Sequence, residues 1–520
     1  MTFARLVLVA VPAAALLAPG QVQLGQPHPR PAMTFTLAAA SGELEILLQF
    51  SPVDGVNPIA ALELAKGTSQ SVIESLTQAE FAKPPAGVEI IQLAPTDSSY
   101  LDASVSEGVD YYYRLRGRDN GVVPTCALSN VAKGTAGPVS VTFTLGAEEM
   151  VFDAPAQACA TTTGFDVSDV PARAVRRGDG SILLVCGNSR GNFFDEGADF
   201  DSLQRNCATP APLDSNFEND PARFDYQRWV SATYRDPASA HPDRIHALLH
   251  HEYHDPVHPP CDIPGKVCQY TSIEYAYSDD GGHSYVQPPL PAKLVAAPPY
   301  PWDPNLTPHA GTLGPWPFGY FIGSNIFRGV DGYAYAFVLT ISDPIQHFQN
   351  SYLTLMRTSD LADPLSWRFW DGSGFGHRTR NPYVEGVSYE TATADPAQYF
   401  PAPIDPPLDR LTESVTYNTY LQKYMMIGSA GNEPAGMPCG FYYSLSNDLV
   451  HWSVARLFRA GNLSQCDPDA MQDVYPSIID HQDTSANFEF ADDTFHLYFL
   501  HFTPGTDRDL VRVPVTITSP

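Results

Sequence analysis

Beyond residue 138 the chain is written in short runs in which apolar and polar residues alternate, and the runs come in sets of four. The plainest set reads "DYQRWVSATYRD", "DRIHALLHHEYHD", "YTSIEYAYSDD" and "HSYVQPP". A period of two, bounded by Asp, Gly and Pro, predicts strands rather than helices. A second set is "GYFIGSNIFRG", "GYAYAFVLTIS", "SYLTLMRTSD" and "SWRFWDG"; a third is "LTESVTYNTYL", "KYMMIGSAG", "GFYYSLSNDL" and "HWSVARLF". An earlier set opens with "ARAVRRG" and "GSILLVCGNSRGNFF", and a last one holds "VYPSIID", "TFHLYFLHF" and "LVRVPVTIT". Five units over this span give about 75 residues each, compatible with a repeat architecture carrying inserted loops.

One turn recurs between the third and fourth strands. In "YAYSDDGGHSYVQPP" it holds Ser278, Asp280, Gly282 and Tyr285. There an Asp carboxylate accepts turn N–H groups, Gly permits positive φ, and the aromatic tucks between neighbouring sheets. These residues resemble the Asp-box of sialidase-like propellers, with Tyr in place of Trp. "TSDLADPLSW" and "SNDLVHW" are degenerate copies. Their looser form, Ser/Thr-x-Asp-Leu-x-x-Trp, resembles the blade turns of five-bladed glycoside hydrolases of the family 43 arabinanase and xylosidase group. "YPSIIDHQDTSANFEFADDTFHLYF" is similar to segments of exported bacterial propeller proteins. Over Ala172 to Thr516 the resemblance implies radial four-stranded sheets, a five-bladed β-propeller spanning 138–520.

Residues 31–137 are also strand-like, with "LEILLQFSP", "GVEIIQLA" and "YLDASVSEGVDYYYRLRGRDNG". Tyr100, Asp102, Gly108, the Tyr111 to Tyr113 cluster and Ser129-Asn130 resemble the last strands of a fibronectin type III β-sandwich. "GTAGP" (Gly134 to Pro138) reads as the linker. The first 20 residues, with Arg5, an apolar run through Leu17 and small residues after it, read as a secretory signal. The expected fold class is thus all-β, an N-terminal β-sandwich followed by a five-bladed propeller.

Charge narrows the partners. Lys and Arg total 30 against 58 Asp and Glu, a formal net charge of −28. That field repels phosphate backbones and anionic bilayers, so no nucleic acid and no membrane partner is expected and a neutral or cationic ligand fits better. The resemblance to glycoside hydrolase propellers implies a carbohydrate substrate, and a monomer is expected. Eight cysteines fit an oxidising, extracellular or periplasmic location. Cys261 and Cys268 bracket a short loop, Cys439 and Cys466 flank a strand pair, and Cys186 with Cys207 can close a loop, leaving Cys126 and Cys159. Connectivity stays open. No G-x-S-x-G elbow, Walker A or Rossmann fingerprint is present, so no cofactor is expected.

In a propeller, the starts of the first strands and the ends of the second strands gather around a funnel. That rule selects Arg173, Asp225, Arg228, Ser324, Asn325, Glu413 and Tyr475, then Asn188, Arg190, His251, Glu252, Tyr253, His254, Asn432, Glu433 and His501. Glycoside cleavage needs two carboxyl groups across the scissile bond. Glu413 and Glu252 are the expected pair, with Asp225 third. Arg228 or His254 would hold a partner ionised, and Trp229, Tyr253 and Trp316 offer faces for sugar rings. Family 43 would place a base Asp in the first inner strand, but "ARAVRRG" has no acid, so no catalytic role is carried over from it. "HHEYHDPVHPPC" gathers His250, His251, His254 and His258, yet adjacent His250 and His251 should face opposite ways on a strand, so no metal is expected. Asp480 reads as a turn residue. The expected activity is glycoside hydrolysis, with a non-catalytic glycan- or protein-binding propeller as the alternative.

Overall fold

The computed structural model describes residues 34–53, 59–120, 126–139, 141–160, 166–208, 211–254, 269–303, 318–342, 351–404, 413–431, 437–463, 466–503 and 507–518. The first 20 residues, expected as a secretory signal, and Cys261, Cys268, His258, Trp316, Asn432 and Glu433 lie outside these. The protein is all-β. Among the described residues no helix exceeds six residues, and none is long and apolar enough to cross a membrane. Two compact units are present. One comprises residues up to Ala38, Gln49–Ser98 and Tyr112–Ala132; the other takes Ala39–Leu48, Ser99–Tyr111 and the chain from Lys133 onward.

In the first unit, the strand Ile59–Gly67 pairs antiparallel with both Val88–Leu93 and Asp110–Asp119, placing Leu64 opposite Ile91 and Leu115. Leu64, Tyr113 and Leu115 are buried while the residues between them are not, as a half-solvated sheet requires. Ile73 and Phe81, from the short helical turns that follow the first strand, pack with Ala65 and Leu76 into a satellite core.

The second unit is built from five antiparallel sets of strands. Set one is Arg173–Arg176, Ile182–Val185, Phe194–Gly197 and Gln204–Arg205. Set two is Gln227–Arg235, Ile245–His254, Gln269–Ser278 and Leu294–Ala296. Set three is Phe318–Gly323, Ala334–Ile341, Ser351–Thr358 and Arg368–Phe369, joined to set two by parallel pairing of Tyr270 and Thr271 with Phe318 and Gly319. Set four is Ser414–Asn418, Lys423–Ala430, Gly440–Ser446 and Arg456–Ala460. Set five is Gln472–Ile479, Thr494–Thr503 and Asp507–Thr518, and its outer edge comes from earlier in the chain, Thr142–Leu145 and Glu149–Phe152.

Each set buries both faces. Val175, Leu183 and Val185 of set one pack on Val230, Ala247 and Leu249 of set two. Leu248, Ile273 and Tyr275 pack on Tyr320, Val338 and Trp367 of set three. Phe337 and Leu355 meet Met426, Tyr442 and Trp452 of set four. Met425, Ile427 and Tyr443 meet Leu497, Phe499 and Val513 of set five. Set five then packs back on set one, Tyr498 and Leu500 against Ala174 and Leu184. Burial on both faces is why the strand Ile245–His254 reads as a nearly continuous apolar and aromatic run rather than a clean alternation.

The recurring turn behaves as its residues dictate. Asp280 Oδ1 accepts the Ser284 N–H at 2.9 Å, Ser278 Oγ accepts the Gly282 N–H at 2.8 Å, and Gly282 has φ +94°. Tyr285 is buried in the core between sets one and two.

Two expectations need correcting. The fourth strand of set two is Leu294–Ala296; of "HSYVQPP" only Val286 bridges, to Tyr277. Pro288 and Pro289 have no N–H for a ladder, so pairing stops there. Cys207 bonds Cys159, not Cys186, which stays a buried thiol, while Cys439–Cys466 forms as read; Cys126 is free. Cys186 lies inside the core with Ala172 and Leu184, its thiol held against Ser168 and Asp195.

Candidate functional site

The opening strands of the five sets are tied to one another by polar side chains. Arg173, at the start of set one and 4% exposed, donates from Nε to the Ser231 carbonyl (3.0 Å), from Nη1 to Ser477 Oγ (3.2 Å) and from Nη2 to the Glu413 carbonyl (2.6 Å). One guanidinium thus reaches sets two, four and five. Asn325 at the end of the first strand of set three closes both its amide bonds on Val415 of set four, each at 2.8 Å. Three of these opening strands also break register, between Val230 and Ala232, Phe321 and Gly323, and Val474 and Ser477. Such bulges re-aim side chains. At the last, Tyr475 takes a left-handed backbone, φ +59°, which a non-glycine residue holds only under constraint from its surroundings.

Glu413 is the residue just before the strand Ser414–Asn418. Its Oε2 accepts the Ser429 N–H at 3.1 Å and Ser429 Oγ–H at 3.0 Å. Burial pushes the carboxyl up to about 8, against the opposing pull of Ser429 and Arg173. Burial also lowers Arg173, to about 9, with Glu413 resisting. Glu413 is thereby a protonated acid at neutral pH.

Glu252 has the opposite setting. Register places Gln227, Trp229, His250, Glu252 and His254 on one face of the strand pair in set two. His250 Nε2 donates to Glu252 Oε1 at 2.9 Å, and His254 Nε2 to Oε2 at 2.7 Å, with Gln269 Nε2 adding a bond at 3.2 Å. Burial opposes the charge, but the two histidine bonds outweigh it and bring the carboxyl down to about 2.

Asp169, which the sequence reading passed over, completes the group. It precedes the opening strand of set one, accepts Trp229 Nε1–H at 3.0 Å and is ion-paired with Arg508. Burial raises it to about 6; Arg508 opposes and Glu252 reinforces the rise. Tyr475 feels Asp169, Glu413 and Glu252 together, and burial foremost raises its hydroxyl well above the usual range. Asp169, Glu252, Glu413 and Tyr475 therefore form one electrostatic neighbourhood drawn from four sets or their leading loops. The missed signal was positional: the acid lies in the loop before "ARAVRRG" rather than within it.

The other candidates stand elsewhere. Asp225 pairs with Arg228 at 2.8 Å and accepts Asn216 Nδ2–H at 2.7 Å. Arg228 lies on the opposite strand face from Glu252, bonded to Gln287 and to the Asp214 carbonyl. On that face His251 meets Ser272 at 2.9 Å and the Tyr226 N–H at 3.2 Å, so His250 and His251 do point apart. Tyr253 is buried against Trp302 and donates to the Asn219 carbonyl. His254, besides holding Glu252, stacks near Tyr226. Asn188 accepts the Arg190 N–H, and Arg190 lies over Phe217. His501 sits between Asp473 (2.9 Å) and Glu148 (3.0 Å), and its bond to Asp473 chiefly raises it. Ser324 Oγ accepts the Phe337 N–H. Asp480 accepts the Gln482 and Asp492 N–H groups in a turn. Among the described residues, no three His, Cys, Asp or Glu are grouped to hold a metal ion.

No family model and no curated protein matches the chain. Among solved structures it is similar to an N-acetylgalactosamine deacetylase from F. plautii in complex with blood group B trisaccharide, at 12% identity and TM-score 0.37, over 73% of this chain and 95% of that one. A protein of unknown function from Dyadobacter fermentans matches at 11% identity and TM-score 0.38, over 71% and 99%. Pectate lyase Pel3 from Pectobacterium carotovorum matches at 18% identity and TM-score 0.15; the match spans 21% of this chain and 28% of the lyase. None of these likenesses is strong enough to assign chemistry, which is argued from the residues.

Proposed function

We propose that the protein is an exported glycoside hydrolase in which Glu413 protonates the leaving oxygen and Glu252 is the ionised partner, within a five-bladed β-propeller preceded by a fibronectin-type sandwich. One observation carries the reading. Two carboxyl groups far apart in the chain share the neighbourhood of Tyr475, one at about 8 and the other at about 2. Glycosidases divide the acid and base roles through such a split, and environment sets it. The cyclic packing of five sets and the edge strand supplied to set five from before set one support the ring. The apolar leader and the two disulfides support export.

In this reading Glu413, held by Ser429, carries the proton to be delivered, and Arg173 fixes the backbone that presents it. The histidines keep Glu252 ionised and oriented to serve as base or nucleophile. Asp169 and Trp229 border it. Turnover on a panel of arabinan, xylan, arabinogalactan and sialosides, abolished by both Glu413→Gln and Glu252→Gln, tests the proposal; no turnover on any of them rejects it.

A second reading has its own support. Both oxygens of Glu252 are already engaged by His250, His254 and Gln269, as in a structural carboxylate. A non-catalytic glycan- or protein-binding propeller would bind without product, and the binding would survive both substitutions.

A further inference from the structure

Between sets three and four the chain makes an excursion from Trp370 to Ile404 that carries the short helices Pro382–Glu385, Tyr389–Ala394 and Pro396–Tyr399. Hydrogen bonds fasten it to sets two and three and the loop between them: Thr379 Oγ1 to the Val295 carbonyl at 2.7 Å, Val387 N to the Pro299 carbonyl at 3.0 Å, and Ile404 N to the Leu353 carbonyl at 3.1 Å. The excursion walls a cavity of about 370 Å³ whose lining includes Arg378, Arg380, Glu385, Gln398 and Tyr399. That size suits a ring-sized ligand.

The charge of this wall runs against the rest of the molecule. Acids outnumber bases 58 to 30 in the chain, yet two arginines face one glutamate here. The Glu385 carboxylate pairs with Arg378 at 3.5 Å, and Arg380 has no hydrogen bond or ion pair among the described residues. Asp371, near the start of the excursion, is a second acid whose charge reaches the wall at His377. Its carboxylate is taken by the N–H groups of Ser373, Gly374 and Gly376. The Arg380 guanidinium, without an ion pair among the described residues, is the open point of this wall for an anion.

We propose that this cavity binds the carboxylate-bearing ring of an acidic glycan, an inference that rests on the carbohydrate reading above. The planar fork of arginine fits the two oxygens of a carboxylate, Gln398 offers an amide to ring hydroxyls, and Tyr399 offers a ring face. Tyr399 packs on the buried aromatic layer that contains Tyr253, on the strand face turned away from Glu252, so the cavity is separate from that carboxyl group.

Calorimetric titration of the whole protein with glucuronate and galacturonate tests this, with glucose, galactose, acetate and inorganic phosphate alongside. The uronates are expected to bind and the neutral sugars and acetate are not. Arg380→Gln should weaken uronate binding about 10-fold or more, and Arg378→Gln should weaken it further, with the thermal midpoint unchanged. Arg380→Lys should recover only part of the loss, because it restores charge without the fork. Uronate binding that is absent, equalled by phosphate, or indifferent to both Gln variants overturns the proposal. Glu413→Gln should leave uronate binding intact. Failure of the hydrolase reading therefore appears as missing turnover with the titration unaffected, and failure of the cavity appears as missing uronate binding with turnover unaffected.

Discussion

Arg173 donates to the backbone carbonyl of Glu413 at 2.6 Å rather than to its carboxylate. The cation therefore fixes the position of Glu413 while leaving its side chain to Ser429, and burial is free to hold the carboxyl in its neutral form. Replacing Arg173 with Lys keeps a charge but cannot reach Ser231, Ser477 and the Glu413 carbonyl at once. Turnover should fall at least 10-fold, and restoring it in the double variant with Ser477→Ala would contradict this account.

Protonation of Glu413 makes a stability prediction with a definite sign. Its folded value, about 8, lies above the ordinary 4.5, so the folded protein holds the extra proton between those values. The stability that this proton confers is complete below 4.5 and is lost as pH rises through about 8. Thermal midpoints measured across that window should fall less steeply in Glu413→Gln than in the parent.

Glu252 answers to the opposite rule. Its carboxyl is lowered to about 2, so its contribution to stability is present above 4.5 and disappears as pH falls toward 2. His254→Ala removes one of the two histidine bonds and should raise Glu252. In a pH profile of kcat/KM the acidic limb should move to higher pH while the basic limb stays in place.

The turn at Gly282 should tolerate no side chain. At φ +94°, an added Cβ would also stand 2.6 Å from Leu183 Cδ2. Strained backbone and overpacking together make Gly282→Ala destabilising by about 2–4 kcal/mol in chemical denaturation. Activity per folded molecule should be unchanged.

Loss of the Cys439–Cys466 bond, which closes a sequence separation of 27, should cost about 2–4 kcal/mol. The Cys439→Ser, Cys466→Ser double variant should match the reduced protein at this bond, read as a lowered denaturation midpoint. Cys186→Ser should behave differently, since it is a buried thiol against Ser168 and Asp195 rather than half of a bridge.

What the sequence made legible follows from how strongly each feature is specified locally. The first three strands of sets two to four, the Ser278 to Tyr285 turn and the His250–His251 divergence are each written in period-two patterning or turn chemistry over a few residues, and they stand where that pattern puts them. The fourth strand of set five was illegible, because Thr142–Leu145 is exposed or half-buried along its length and pairs with a partner far away in the chain. The Cys159–Cys207 bond was hidden for the same reason: spacing favoured the nearer Cys186. Asp169 escaped because it lies in a loop whose fold is decided by Trp229 and Arg508, not by its own neighbours. Glu413 and Glu252 were chosen by position alone, and only the environment shows that they are driven in opposite directions.

The pairing of Thr142 with Thr518, 376 residues apart, sets the order of assembly. During synthesis the earlier strand waits, edge unpaired, until its partner Asp507–Thr518 has been made. Loop-closure entropy makes that the slowest contact to form, and the ladder from Asp507 to Thr518 is where maturation ends. A chain cut before Asp507 would leave both Thr142–Leu145 and Thr494–Thr503 with an open edge, and added protease should cleave it sooner than the full chain.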